Sequence, residues 1–357
     1  MTDQSPSRYG VTRAELAALL EDWGEPPYRA EQTWDALYRS ARPLEHATAL
    51  PRALRDRLVV SLPLSLEPVQ TATSGDGTTK WLWACARDGA QIETVLMPTA
   101  TRATVCVSSQ AGCAMGCTFC ATGQAGFERH LHAGEIVEQV MRAGHEPHVR
   151  VSNVVFMGMG EPLANYDATW EAVERLHDDV GISARRITVS TVGVVPGIRR
   201  LAHERLPVTL AVSLHAADDA DRSELVPLNR RYPIAQVLDA AAEFAAARGR
   251  RVTFEYACIA GVNDSPEAAH ALARLLAPFP GAGGAHVNLI PLNRTSGYDG
   301  AASRPTPLRT FATTLRSHGV AATIRRNRGA DIAAACGQLR TRDAIPRVPS
   351  PSARMAT

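Results

Sequence analysis

Three cysteines in one short segment are the residues of this sequence best suited to chemistry. Cys113, Cys117 and Cys120 follow the spacing C-x3-C-x2-C. Iron–sulfur clusters are held by Cys thiolates, and three thiolates on a four-iron cluster leave one iron free to bind a small molecule. A structural zinc ion takes four ligands, and no second C-x2-C or H-x3-H pair is spaced to complete such a site. The spacing therefore favours an iron–sulfur cluster with an open coordination position over structural zinc or incidental thiols.

Further along the chain, residues suited to ligand binding fall just after predicted strands. The run Gly158-Met159-Gly160-Glu161-Pro162 follows one strand, Ser190 ends the next, Ser213 and His215 end a third, and Asn293 follows a later one. In a barrel of parallel strands the carboxyl ends form the functional face. Glycines there let the backbone approach a ligand closely. We therefore expect these residues to share one site with the cysteine segment.

The elements that must position these residues alternate between strands and helices. Apolar runs, typical of buried parallel strands, predict strands at residues 103–109, 153–158, 186–191, 209–215, 252–259, 286–292 and 321–325. Helical spacing of apolar residues predicts helices at residues 133–145, 167–178, 234–248, 266–277 and 307–318. This alternation indicates right-handed βαβ units, and hence an α/β fold with a parallel sheet that closes at least partly into a barrel.

The first hundred residues differ from the rest. Short helices are predicted at residues 13–23, 30–39 and 51–58, followed by a β-hairpin. We therefore divide the chain into an N-terminal helical accessory domain (1–65), a bridging β-hairpin (66–98), a barrel that includes a C-terminal cysteine loop (99–339) and a disordered tail (340–357).

Composition limits the class of protein. The chain has 357 residues, of which 45% are hydrophobic, enough for a full-sized core. No segment has the roughly 18 continuous apolar residues of a membrane span, and the first ten residues are polar. Seven cysteines without a secretory signal argue against a disulfide scaffold. We expect a cytoplasmic protein without a membrane association.

Charge alone says little about partners. The formal net charge is +2, but arginines cluster at residues 185–186, 199–200, 230–231, 248–251 and 325–328. Such spots suit contacts with phosphates. Arginine pairs are also common at the ends of helices and strands. The arginine clusters therefore neither establish nor exclude binding to a nucleic acid.

The cysteine segment and the Gly-Met-Gly-Glu-Pro loop together resemble the radical S-adenosylmethionine superfamily. Within it, the chain is similar to the RlmN-type adenosine C2-methyltransferases of ribosomal and transfer RNA. The matching segments lie at residues 92–95, 106–110, 119–123, 158–163, 213–215, 288–291 and 335–339, and the resemblance extends from about residue 9 to residue 339. It implies a partial (β/α)6 TIM-like barrel with a small N-terminal helical domain.

The resemblance also implies the cofactors and the residues that hold them. Cys113, Cys117 and Cys120 would ligate a 4Fe-4S cluster. S-adenosylmethionine would bind among the following residues: Gly160, Glu161, Ser190, Ser213, Leu214, His215 and Asn293. The implied partners are 23S rRNA, with tRNA as a further substrate, and a reducing electron donor such as flavodoxin; a monomer is expected.

Three residues receive catalytic roles from the resemblance. Cys336 would accept a methyl group as an S-methyl thioether, and a 5'-deoxyadenosyl radical would activate that methyl for addition to adenine C2. Cys106 would resolve the resulting protein–RNA link through a transient disulfide with Cys336, and Glu93 would be a proton acceptor. Read without the resemblance, each has a plainer explanation: free cysteines are usually buried core thiols, and a carboxylate on an edge hairpin is usually solvated. Glu161 could likewise be a structural carboxylate that accepts bonds from backbone amides.

Two other functions compete with C2 methylation. The related C8-methylating resistance enzymes share the same cysteines, and the loops favour C2 without excluding C8. A non-enzymatic iron–sulfur protein, such as an electron carrier or an RNA-binding sensor, is the rival from another class. A carrier has little use for an open iron, and a sensor has no need of Cys106 and Cys336.

Overall fold

Three helices form the N-terminal part of the computed structural model, which describes residues 7–40, 42–145, 149–279 and 284–339. They are α1 (Arg13–Asp22), α2 (Tyr28–Tyr38) and α3 (Arg52–Ser61). Helix α1 begins at a capping box, in which Thr12 and Glu15 bond each other's backbone amides. The buried apolar residues of these helices belong to the same hydrophobic core as the sheet. The predicted helical module is therefore present, and it packs directly on the rest of the protein.

The segment predicted as a bridging hairpin contains three antiparallel strands: β1 (Leu66–Thr73), β2 (Thr79–Cys85) and β3 (Gln91–Pro98). The prediction was wrong in the number of strands. Strand β1 lies at the edge of the sheet and most of its side chains are exposed, so it lacks the apolar pattern that reveals a strand.

The part of the chain that the structure describes contains nine further strands: β4 (Ala103–Cys106), β5 (Gln110–Gly112), β6 (Phe127–His130), β7 (Asn153–Phe156), β8 (Ile187–Thr191), β9 (Thr209–Ser213), β10 (Val252–Cys258), β11 (Ala285–Pro291) and β12 (Ala321–Ile324). The main sheet has the order β1-β2-β3-β4-β7-β8-β9-β10-β11-β12, and its neighbours are parallel from β4 onward. Strands β5 and β6 form a separate antiparallel pair. Among the described strands β1 and β12 end the main sheet, so the barrel is open, as predicted.

In the described residues eight α-helices follow the N-terminal three: α4 (Ala121–Ala125), α5 (Ala133–His145), α6 (Tyr166–Asp178), α7 (Val195–Ala202), α8 (Asp219–Leu225), α9 (Ile234–Arg248), α10 (Pro266–Leu276) and α11 (Pro305–Ser317). The five predicted helices of the barrel are present as α5, α6, α9, α10 and α11. Helices α4, α7 and α8 were not predicted, because each has fewer turns than an apolar period needs to be recognised. No described helix is long and apolar enough to cross a membrane. The predicted disordered tail lies outside the described residues.

Candidate active site

A cavity opens at the carboxyl ends of the parallel strands. It contains about 980 Å³ of empty space, which includes solvent at its open mouth. Ten of the predicted site residues line it: Cys113, Cys117, Cys120, Gly160, Glu161, Ser190, Ser213, His215, Asn293 and Cys336. The fold therefore brings together most of the residues that the sequence singled out.

The cysteine segment forms a tight loop between β5 and α4. The backbone amide of Cys113 donates to the carbonyl of Gly126 at 2.7 Å. Gly112, just before it, has a φ of +72°, and a Cβ atom there would lie 2.0 Å from the same carbonyl oxygen. Only glycine fits this turn. The turn directs three thiols into one wall of the cavity.

All three thiols line one cavity, as the ligands of a four-iron cluster with one open iron would have to. Burial raises the pKa of Cys113 to about 12 and also raises that of Cys117, so a bound metal must displace the protons. In the described part of the chain, no three His, Cys, Asp or Glu side chains converge on a point where they could hold one metal ion. In a four-iron cluster each thiolate binds a different iron, so its ligands do not converge in that way.

The Gly-Met-Gly-Glu-Pro loop packs against β5. Gly160 has a φ of +99°, and a Cβ atom there would lie 2.5 Å from the Cβ of Gln110. The carboxylate of Glu161 accepts hydrogen bonds from the backbone amides of Leu163 (3.0 Å) and Val192 (2.9 Å), and burial raises its pKa to about 7. One oxygen of Glu161 thus joins the loop to the residue that follows β8, and the other accepts a bond within the loop itself, which is the structural role considered from the sequence.

His215 is held as a neutral hydrogen-bond donor. Its Nδ1 accepts a bond of 2.9 Å from the backbone amide of Ala257, which leaves the proton on Nε2. Burial and the charge of Arg222 lower its pKa to about 3. Its φ is +64°, a strained value for a residue other than glycine. His215 can donate a hydrogen bond to a ligand in the cavity, but it cannot act as an acid at neutral pH.

Leu214 does not contribute its side chain to the cavity. The side chain is fully buried in the main hydrophobic core. Its backbone amide donates to Glu255 at 3.0 Å, and its carbonyl accepts a bond of 3.0 Å from Nε of Arg222. The predicted contact of Leu214 with S-adenosylmethionine is therefore not supported by the position of its side chain.

Arg222, on α8, is a site residue that sequence reasoning missed. It is 0% exposed and donates hydrogen bonds to the carbonyl oxygens of Val192, Ser213 and Leu214 and to Oδ1 of Asn229. Burial lowers its pKa to about 10, so it stays charged at neutral pH. Arg222 ties together the segments that follow β8 and β9. An arginine on a short helix carries no sequence signal of such a role.

Glu255, on β10, is a second residue that the sequence did not reveal. It lines the cavity although it is almost completely buried. Asn288 donates a hydrogen bond of 2.8 Å to its Oε1. Burial raises its pKa. A carboxyl group therefore stands in the wall of the cavity that also contains Cys336.

Cys106 and Glu93 lie on one face of neighbouring strands. Cys106 of β4 stands opposite Val95 of β3, and Glu93 is two residues from Val95, so the three side chains point to the same face. Glu93 is only 1% exposed and forms an ion pair of 2.7 Å with Lys80. The expectation of a solvated carboxylate on an edge hairpin was wrong, because β3 lies between β2 and β4. Neither Cys106 nor Glu93 reaches the cavity wall.

Cys336 lines the cavity, and its side chain is exposed to the space inside it. Burial and the nearby Glu255 raise its pKa. Burial and the charge of Cys336 in turn raise the pKa of Cys106, so the two thiols are within electrostatic range of each other. All seven cysteines are unpaired. The two cysteines predicted to form a transient disulfide thus interact electrostatically, and neither is bonded to another cysteine.

The Cys336 loop (residues 329–339) is bound to α4, the helix that directly follows the cysteine segment. The backbone amide of Ala121 donates to the carbonyl of Gly337 at 2.8 Å. The hydroxyl of Thr122 donates to the carbonyl of Leu339 at 2.6 Å. These bonds hold the methyl-accepting candidate beside the cysteines that precede it by more than two hundred positions.

Comparison with known proteins agrees with this geometry. Residues 107–273 match the model of the Radical SAM superfamily. The chain is 51% identical over 352 residues to the probable dual-specificity RNA methyltransferase RlmN of Chloroflexus aurantiacus, a match that covers 95% of this chain and 93% of that protein. It is 49% identical to the dual-specificity RNA methyltransferase RlmN 1 of Myxococcus xanthus, with 95% of each chain covered.

A solved structure resembles the whole fold. The crystal structure of a radical SAM methyltransferase from Sphaerobacter thermophilus superposes with a TM-score of 0.87 at 49% sequence identity, and the match covers 94% of this chain and 99% of that one. The relatives and this structure share the N-terminal part as well as the barrel, since coverage is nearly complete. The chain therefore belongs to the RlmN-type RNA methyltransferases of the radical SAM superfamily.

Proposed function

We propose that this RNA methyltransferase places a methyl group on C2 of an adenosine in 23S rRNA, and that tRNA is a second substrate. Enzymes of its superfamily use a 4Fe-4S cluster and S-adenosylmethionine. One observation carries the proposal furthest: Cys336 shares a single cavity with the three cluster cysteines and the predicted S-adenosylmethionine residues. Cys106 and Glu93 lie on the adjoining sheet face.

The reactivity of the substrate carbon explains why direct transfer of a methyl group would not suffice. C2 of adenine is an electron-poor aromatic carbon, so it cannot attack a methyl sulfonium directly. A radical route is required, and the difficult chemistry belongs to the cofactor. The bound cluster would supply the electron that cleaves S-adenosylmethionine to a 5'-deoxyadenosyl radical.

The side chains then divide the remaining tasks. Cys336 would lose its thiol proton and accept a methyl group, and that methyl, after loss of a hydrogen atom, would bond to C2 of adenine. Glu93 would accept the proton that leaves C2. Cys106, as its thiolate, would attack the sulfur of Cys336 and break the bond from that sulfur to the methylene carbon, which would take up one proton to become the methyl group of the product. The one electron left over from disulfide formation would return to the oxidised cluster. The hydrogen bond from Lys80 to the carbonyl of Ala333 holds the Cys336 loop on the sheet face that bears Cys106, which supports the attack by Cys106.

Several residues of the site would bind S-adenosylmethionine without taking part in the making or breaking of covalent bonds. His215 would donate a hydrogen bond from Nε2 to S-adenosylmethionine, and Ser190 and Ser213 would add hydroxyl groups from neighbouring strand ends. Asn293 would contact the same ligand. We also expect a reducing protein such as flavodoxin as electron donor, a monomeric state and a cytoplasmic location.

The test is anaerobic reconstitution of the cluster, followed by incubation with RNA and S-adenosylmethionine carrying an isotopically labelled methyl group. Mass spectrometry of the digested RNA should find labelled 2-methyladenosine. Exclusive formation of 8-methyladenosine would contradict the choice of carbon. Absence of S-adenosylmethionine cleavage under a strong reductant would contradict the radical route. Cys85→Ala, which removes a buried thiol on β2, is the matched control for cysteine substitutions.

A further inference from the structure

Lys80 is the only lysine of the chain, which contains 38 lysine and arginine residues in total. It lies on β2 and is only 2% exposed. Lysine is among the residues least often buried. A buried charge also needs compensation, since its removal from water is costly. The position of this one ammonium group therefore calls for an explanation.

The ammonium group of Lys80 makes two contacts with residues of the catalytic region. Nζ lies 2.7 Å from Oε1 of Glu93, and it donates a hydrogen bond of 3.0 Å to the carbonyl oxygen of Ala333. Lys80 stands opposite Val95, and Glu93 stands opposite Leu82. Lys80 and Glu93 are therefore diagonal neighbours on one face of the sheet, within reach of each other's long side chains.

That sheet face also bears Cys106, because Val95 lies between Lys80 and Cys106 in the strand pairing. The Cys336 loop is joined to this face through Ala333, three residues before Cys336. Ala333 has a φ of +50°, an uncommon value for alanine. Such a conformation persists only where its surroundings hold it, and the bond from Lys80 is one of the contacts that hold it.

Other bonds fix the loop on either side of this point. Oγ of Ser74 donates to Oδ1 of Asp331 at 2.7 Å, and Nδ2 of Asn293 donates to the carbonyl of Cys336 at 2.9 Å. Neither of these bonds involves Glu93. The Lys80 ammonium group is what connects the loop directly to the proposed proton acceptor.

The head group of lysine suits this position. An ammonium group is compact and has three donors that can point to separate acceptors, whereas the guanidinium of arginine is a planar fork. A carboxylate and a carbonyl that approach from different elements match the first geometry. This accounts for a lysine at a buried position in a chain whose other basic residues are arginines.

We propose that Lys80 is a positioning residue, which joins the carboxylate of Glu93 to the carbonyl of Ala333 and thereby fixes where Cys336 lies over the sheet face of Glu93 and Cys106. The position of the loop follows from the contacts alone. The consequence for methyl transfer rests on the proposed function. Lys80 itself touches neither substrate nor cofactor in this role.

Hydrogen–deuterium exchange of the cluster-loaded protein with S-adenosylmethionine tests the position of the loop. In Lys80→Met, peptides from residues 329–339 should exchange about tenfold faster, since a hydrogen bond from a charged donor corresponds to roughly that factor. In Glu93→Gln the bond from Lys80 to Ala333 remains but Lys80 loses its charged partner, so exchange should increase by much less than in Lys80→Met. Unchanged exchange in Lys80→Met, or equal loosening in Glu93→Gln, would overturn the proposal.

A second measurement separates positioning from general stability. In Lys80→Met the rate at which Cys336 becomes S-methylated, followed by mass spectrometry, should fall about tenfold, while the Kd for S-adenosylmethionine stays within about twofold. Lys80→Arg should recover part of the rate, and it carries the test if the methionine variant does not fold. Thr73→Ala, at an exposed position of the neighbouring strand β1, should leave the rate nearly unchanged. A parallel loss of rate and affinity in all variants would contradict a positioning role.

The two measurements also distinguish this proposal from the proposed function. If RNA methylation is absent but Lys80→Met still loosens residues 329–339, the function fails and the position of the loop stands. If RNA is methylated at C2 but Lys80→Met changes neither exchange nor Cys336 methylation, the role of Lys80 fails and the function stands.

Discussion

The side-chain amide of Asn293 donates a hydrogen bond of 2.9 Å to the carbonyl oxygen of Cys336. Asn293 also lines the cavity in which we expect S-adenosylmethionine to bind. One side chain thus contacts both the loop of the proposed methyl acceptor and the space for the methyl donor. Binding of the donor and alignment of the acceptor should therefore be coupled through this residue.

Asn293→Asp tests this coupling. The substitution replaces the amide donor by a carboxylate oxygen that faces the carbonyl of Cys336 without a proton to share. We expect the methylation rate of Cys336 to fall about tenfold or more, because an unmade buried hydrogen bond is costly. Mass spectrometry of the Cys336 peptide measures the rate. Asn327→Ala, which removes only a neighbour of Asn293, is the control, and it should have a smaller effect.

Cys106→Ala should trap the protein on RNA. Without the thiol of Cys106, the sulfur of Cys336 has no partner for the disulfide that releases the product. A covalent protein–RNA species should accumulate and be visible as an RNase-sensitive shift on a denaturing gel. Cys336→Ala should form no such species and should keep its cluster. A Cys106→Ala enzyme that turns over without a trapped species would exclude the proposed resolution step.

Arg222→Met should destabilise the fold near the cavity. The substitution leaves the carbonyl oxygens of Val192, Ser213 and Leu214 without their buried donor. We expect the free energy of unfolding to fall by about 3 kcal/mol or more. Urea unfolding of the metal-free protein measures it. Arg230→Met, at an exposed arginine eight residues further along the chain, should change it by about 0.5 kcal/mol or less. Equal effects of the two substitutions would contradict the role given to Arg222.

His215 predicts a dependence of stability on pH. Its pKa is about 3 in the folded protein and near 6.5 in an unfolded chain. Between these values the unfolded chain binds a proton that the folded protein does not, so this contribution is complete above about pH 6.5 and is lost as the pH falls toward 3. His215→Gln should therefore reduce the loss of stability on acidification. An imidazole titration of His215 with a midpoint near 6.5, observed by NMR, would refute the prediction.

Patterns local to the chain explain what the sequence could predict. Helices α5 and α9 have the predicted bounds, because their apolar spacing is regular over 13 and 15 residues. The three cysteines and Gly160 were singled out because the spacing of the cysteines and the glycines of the loop can be recognised within a short segment of sequence. Strand β1 was missed because it lies at the edge of the sheet and most of its side chains are exposed, so its sequence lacks the apolar pattern of a buried strand.

The features that the sequence did not predict depend on contacts between segments that are far apart along the chain. The bond from Lys80 to Ala333 joins positions 253 residues apart, and no spacing rule relates them. The side chain of Leu214 could not be placed, because the turn after β9 decides whether it faces the core or the cavity. Arg222 reads as an ordinary helix residue until the carbonyl groups around it are known.

Because Lys80 is the only lysine, the protein carries one ε-amino group. Growth with 13C- and 15N-labelled lysine would give a side-chain NMR spectrum with a single set of signals, free of overlap. These signals would come from a point between Glu93 and the Cys336 loop. The catalytic region thus contains its own spectroscopic probe, which can follow the protonation of Glu93 and the position of the loop without an engineered label.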